Sequence, residues 1–164
     1  MKIFNNISIS KKYKGSAIAI GNFDGVHKGH QKIFKQAKKF AKKNKIKFGV
    51  LTFTPLPVMF FNNKIKNHRL ISEKLKFKLF KKYGVDFVVN IQFNRIFSKI
   101  TAEKFIKNII FRKINPKLIF VGANFKFGNK RKGNMHLLKR LGRKYDYKLL
   151  ITKVYRHKEK VVSS

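Results

Sequence analysis

Short apolar runs alternate along the chain with longer segments in which apolar residues recur at helical spacing. Ala17-Ile18-Ala19-Ile20 is an unbroken run of small and branched residues, the pattern of a strand buried on both faces. Gly21 and Gly25 interrupt it and permit a tight turn. Ile33, Phe34, Ala37, Phe40 and Ala41 then fall on one face of a helix that fades at Lys42-Lys43-Asn44. Lys47 to Phe53 predicts a second strand, which Thr54-Pro55-Leu56-Pro57 ends because proline cannot continue a ladder. Val58 to Leu70 reads as a long loop carrying Met59, Phe60 and Phe61, and loops of that length in small domains are commonly functional.

Ser72 opens a predicted second helix bearing Leu75, Leu79 and Phe80, which Gly84 closes. Asp86 to Ile91 is a third strand. Thr101 caps a third helix with Phe105, Ile109 and Ile110, and Asn115-Pro116 turns the chain. Leu118 to Gly122 forms a fourth strand, followed by a Gly- and Asn-rich loop to Gly133, a helix over about Asn134 to Arg143, and a fifth strand over Lys148 to Val154. Within the lead-in Met1 to Gly15, Ile7, Ile9 and Tyr13 suit a short edge strand. The alternation predicts an α/β fold: a parallel sheet of five to six strands with helices on both faces. In such sheets a ligand sits at the carboxyl ends of the strands.

A length of 164 residues suits one domain with a sizeable core, and 43% hydrophobic content with 18 Phe excludes a disordered chain. The absence of cysteine excludes disulfides, thiol catalysis and Cys-ligated zinc. No apolar h-region opens the chain and no run reaches membrane-spanning length, so a cytoplasmic chain without a membrane partner is expected. The net charge of +35 changes the picture less than its size suggests. Only seven of the 41 basic residues are Arg, and the lysines are spread over nearly every polar face. Sites that read bases or fork phosphates favour Arg. Joint over-use of Lys, Asn, Ile and Phe points to composition drift, with non-specific adhesion to polyanions at low salt and no specific nucleic-acid partner.

The candidate chemistry lies where the first strand passes into the first helix. A helix N-terminus directs free N–H groups and the positive dipole end at one spot, which suits an anion. His27 and His30, three apart, share a face of the first turn, and two imidazoles beside free N–H groups suit a phosphate chain. Asn124, just past the fourth strand and Gly122, is a second candidate. Phe125 and Phe127 suit either core packing or a ligand.

Gly21-Asn22-Phe23-Asp24-Gly25-Val26-His27-Lys28-Gly29-His30 resembles the Gly-x-Phe-Asp-x-x-His-x-Gly-His signature of the nucleotidyltransferase superfamily. Its full form is similar to the FAD synthetase branch, the FMN adenylyltransferase domain of bacterial bifunctional riboflavin kinase/FAD synthetases. Further segments resemble the same family: Thr52-Phe53-Thr54-Pro55-Leu56-Pro57, Arg69-Leu70, Lys82-Tyr83-Gly84-Val85-Asp86, and Thr101-Ala102-Glu103-Lys104-Phe105. So does Val121-Gly122-Ala123-Asn124-Phe125-Lys126-Phe127-Gly128 with Arg131 and Gly133, and the resemblance extends over about residues 16–164.

The resemblance implies a Rossmann-like nucleotidyltransferase fold and AMP transfer from ATP to FMN, with Mg2+ held mainly through phosphates and no metal held by protein ligands. It implies catalytic roles for His27, His30 and Asn124, and ATP binding by Gly21, Asn22, Phe23, Asp24, Gly29, Ser163 and Ser164. It implies flavin binding by Pro55, Pro57, Asn124, Phe125, Phe127, Gly128 and Arg131. The family continues with Ser-Ser-Thr-x-Ile-Arg, whereas this sequence stops at Val161-Val162-Ser163-Ser164. A domain truncated at that end is therefore expected, without the riboflavin kinase module that could be its covalently continuous partner. Two alternatives stay open: a related nucleotidyltransferase with another phosphorylated acceptor, and a non-enzymatic basic nucleic-acid-binding protein.

Overall fold

The computed structural model describes residues 1–62 and 69–152, and the backbone of 156–157 and 160–161. Its centre is a sheet of six strands: β1 (Lys2–Phe4), β2 (Ala17–Ile20), β3 (Phe48–Thr54), β4 (Phe87–Gln92), β5 (Leu118–Gly122) and β6 (Lys148–Thr152). Their spatial order is β1-β4-β3-β2-β5-β6, and every pairing is parallel. A small antiparallel pair, β7 (Arg156–His157) with β8 (Lys160–Val161), lies outside the sheet.

The period of two in the strands sorts the core into two layers. On one face Ile18, Ile20, Leu51, Phe53, Val89, Ile119 and Val121 pack against Ile106, Ile109, Ile110 and Leu138. On the other, Ala17, Ala19, Phe48, Val50, Val88 and Phe120 pack against Ile33, Phe34, Ala37, Ala41 and Phe80. The helices are α1 (Lys28–Lys43), α2 (Pro57–Phe61), α3 (Glu73–Lys82), α4 (Arg95–Ser98), α5 (Ala102–Lys104) and α6 (Met135–Tyr145). The α5 segment winds on as a wider π-helix over Phe105–Ile114. Ser72, Thr101 and Asn134 cap their helices by accepting from the N–H of Leu75, Lys104 and Leu137.

Several expectations are corrected. The edge strand is Lys2–Phe4, while Ile7, Ile9 and Tyr13 follow it and turn toward the core. Pro57 starts α2 at its first turn, where a missing N–H is harmless, so the predicted loop begins with a helix. Residues 63–68 of that stretch lie outside the described residues, as do Val154, Ser163 and Ser164. On α3 it is Lys76, 5% exposed, that faces inward with Phe80, while Leu75 is 43% exposed. The sequence patterning also missed α4, and α6 runs to Tyr145.

Candidate active site

Successive connections run from β2 outward to β3 and β4 on one side and return to β5 and β6 on the other. Adjacent strands β2 and β5 therefore mark the switch point, and the crevice at their carboxyl ends is where a parallel sheet binds its ligand. A cavity of about 720 Å³ opens there. It is lined by Gly21, Asn22, Phe23, His27, Gly29 and His30 after β2, and by Gly122 to Gly128, Lys130 and Arg131 after β5.

His27 is the N-cap of α1, and its Nδ1 accepts from the Gly29 N–H at 3.2 Å. That bond assigns the ring proton to Nε2, a buried donor with no partner among the described residues. One turn on, the His30 ring stacks on His27 with centroids 3.7 Å apart and meets the Phe23 edge at 5.1 Å. Burial lowers the His27 pKa; His30, 8% exposed, falls from 6.5 to about 3 through burial and the neighbouring His27. Both rings are thus neutral near pH 7. The first turn of α1 carries no acidic residue to compensate the helix dipole.

Lys126, Lys130 and Arg131 line the same cavity, and no Asp or Glu does so among the described residues. Another part of the lining is an aromatic wall. Phe61, Phe93, Phe97, Phe105 and Phe127 form a chain of rings, with centroid separations of 5.8, 5.5, 6.3 and 5.5 Å in turn. Phe125 stacks on Phe127 at 5.4 Å and an interplanar angle of 18°. A cavity that joins cationic side chains to aromatic ones, with no acid among its described lining residues, suits a phosphorylated molecule bearing a planar ring.

The loop after β5 is pinned from two directions. Phe127 and Gly133 exchange backbone hydrogen bonds at 3.2 and 2.8 Å. The Asn129 N–H donates to the Ile100 carbonyl at 2.7 Å and its side chain to Ser98 at 3.0 Å. Gly128 has φ +74°, and a Cβ there would stand 2.6 Å from the Ala102 backbone nitrogen. This contact explains why a glycine faces the start of α5.

Of the residues singled out in the sequence, Gly21, Asn22, Phe23, Gly29, His27 and His30 meet Asn124, Phe125, Phe127, Gly128, Arg131 and Pro57 around one cavity. Asp24 and Pro55 are not among the lining residues. The Asp24 carboxylate instead accepts from the Leu70 N–H at 2.9 Å and ties the turn to the segment before α3. Phe53, Phe93, Phe97 and Phe105 also line the cavity without being expected there from the sequence, although Phe93 and Phe97 follow the carboxyl end of β4. Among the described residues no three His, Asp or Glu side chains converge to hold a metal ion, and no helix is long and apolar enough to cross a membrane.

A bifunctional riboflavin kinase/FMN adenylyltransferase from Buchnera aphidicola subsp. Schizaphis graminum is 42% identical, over 100% of this chain and 54% of that protein. The Escherichia coli K12 protein of the same name is 31% identical over 87% of this chain and 45% of its own. The chain thus spans about half the length of these relatives. A crystal structure of a macrolide-efflux protein from Streptococcus pneumoniae superposes with a TM-score of 0.83 at 25% identity, over 99% of this chain and 52% of that one. A pantoate-beta-alanine ligase from Francisella tularensis shares the fold at a TM-score of 0.63 and 16% identity, over 99% of this chain and 71% of its own. The model of one family, FAD synthetase, matches residues 9–164, and with its Gly-x-Phe-Asp-x-x-His-x-Gly-His turn at the switch point the chain belongs to that family.

Proposed function

We propose that the chain transfers AMP from ATP to FMN, giving FAD and pyrophosphate. A phosphate oxygen of FMN attacks the α-phosphorus of ATP in line, and the bond from that phosphorus to the bridging oxygen of the leaving pyrophosphate breaks. No protein nucleophile is needed, because such transfers are accelerated by positioning and charge stabilisation. The His27 Nε2–H, His30 and the N-terminus of α1 would meet the ATP phosphates. Asn124, Lys126, Lys130 and Arg131 would meet the phosphates from the β5 side, and the Phe wall would take the flavin ring.

The residues suit a magnesium ion carried on ATP phosphates and water. Asp24 is engaged by Leu70, and no acidic side chain lines the cavity among the described residues.

The observation that carries this reading is one cavity that joins cationic side chains, with no acid among its described lining residues, to an aromatic wall. Incubation with ATP, magnesium and FMN should yield FAD and pyrophosphate in equal amounts, read by chromatography and a pyrophosphate-release assay. Release of pyrophosphate with a different phosphorylated acceptor, and none with FMN, would replace flavin in the assignment.

A further inference from the structure

Lys76 is 5% exposed on α3, and no carboxylate lies within ion-pair distance of it among the described residues. The two acids that influence it are engaged elsewhere. Glu73 accepts from Thr54 Oγ1 at 2.7 Å and pairs with Arg69 at 4.0 Å, and Asp24 accepts from Leu70. Burial lowers the Lys76 pKa, with Glu73 and Asp24 opposing and Arg69 adding to the shift. A buried ammonium with so little compensation destabilises a fold, and an apolar side chain would serve packing better.

Its hydrogen bond has a direction. Lys76 Nζ donates to Thr52 Oγ1 at 3.3 Å, and the Thr52 hydroxyl donates to the Asn22 carbonyl at 3.0 Å. A hydroxyl that accepts from a cation is a stronger donor. The carbonyl it holds belongs to the peptide between Asn22 and Phe23. In a planar trans peptide the N–H points opposite the C=O, so fixing one fixes the other. Phe23 follows at φ 52°, a left-handed conformation that a bulky residue keeps only when its surroundings impose it. Asn22 and Phe23 both line the cavity.

We infer that Lys76 is a positioning residue that acts through Thr52 to hold the Asn22–Phe23 peptide in the shape that receives ATP. The assignment of ATP to this turn rests on the function proposed above; the mechanical role of Lys76 does not.

Two measurements on the 164-residue chain separate these parts. Amide hydrogen exchange at Asn22, Phe23 and Asp24 should quicken about tenfold or more in Lys76→Met and in Thr52→Val, with α6 protection retained. The double variant should add less than about twofold, because both substitutions break one relay. Thr52→Ser should slow exchange again relative to Thr52→Val. By titration calorimetry the ATP Kd should rise about tenfold in the same variants, with the FMN Kd changed less than about threefold. Unchanged turn amides in Lys76→Met, or exchange that quickens equally over the whole chain, would overturn the inference. If Lys76→Met does not fold, Thr52→Val decides the relay alone. A wild-type chain that binds no ATP would remove the nucleotide assignment, while the exchange data still decide what Lys76 does.

Discussion

The imidazoles of His27 and His30 stack with centroids 3.7 Å apart and planes 25° from parallel. Two rings at that distance cannot both be charged without repulsion, and burial already disfavours charge on each. Between pH 6.5 and about 3 the unfolded chain therefore binds a proton at position 30 that the folded chain refuses. By linkage, stability is full above pH 6.5 and falls as pH drops toward 3. For His30 alone the loss between pH 7 and pH 5 is about 2 kcal/mol. Urea denaturation at the two pH values should show it, and His30→Gln should remove most of the difference. An equal pH dependence in that variant would assign the acid sensitivity to other groups.

The same pair should matter to the rate. His27→Ala deletes both the α1 cap and the Nε2–H donor, and His30→Ala deletes its stacked neighbour. A donor that meets developing charge typically contributes on the order of 3 kcal/mol. Each variant should lower the initial rate of FAD formation by about tenfold or more. His27→Asn, which can still cap the helix, should recover stability without recovering the rate. Wild-type rates in both alanine variants would take the imidazoles out of the mechanism.

The aromatic wall should act on the acceptor more than on the nucleotide. Phe97 sits at its centre, within 5.5 Å of Phe93 and 6.3 Å of Phe105. Truncating one ring of an aromatic wall removes about 1 kcal/mol or more of contact. Phe97→Ala should therefore raise the KM for FMN at least about fivefold, with the KM for ATP nearly constant. Equal increases for both substrates would mean that the ring only shapes the cavity.

Features encoded locally were legible in the sequence. Ile33, Phe34, Ala37 and Ala41 recur at helical spacing and are buried, and His27 and His30 meet because positions three apart share a helix face. Features set by tertiary neighbours were not legible. Pro57 looks like a stop, yet α2 begins on it. Leu75 is the more apolar residue, yet Lys76 faces inward because Thr52 and the Asn22 turn wait there. The Phe wall draws its rings from segments after β3 and β4, from α5 onward and from the loop after β5, so no short pattern announces it. Asp24 belongs to the signature, yet the Leu70 N–H claims its carboxylate.

Two glycines of the loop after β5 should respond to a methyl group in opposite ways. At Gly128 the added Cβ would lie 2.6 Å from the Ala102 nitrogen and 2.7 Å from its Cα, and φ is +74°. Backbone cannot yield as a side-chain tip can, and the left-handed conformation adds strain, so Gly128→Ala should lose about 1–3 kcal/mol of stability. The displaced loop would carry Phe127 and Arg131 with it, so activity should fall as well. At Gly122 a Cβ meets nothing within 4 Å, because the space beside it is the cavity. Gly122→Ala should keep stability within about 0.5 kcal/mol and weaken ligand binding by occupying that space. Thermal melts and calorimetric titrations with ATP and FMN read the two effects separately. A Gly128→Ala protein as stable as the wild type would show that the loop is not held against α5. A Gly122→Ala protein that binds both substrates normally would place the ligands away from the end of β5.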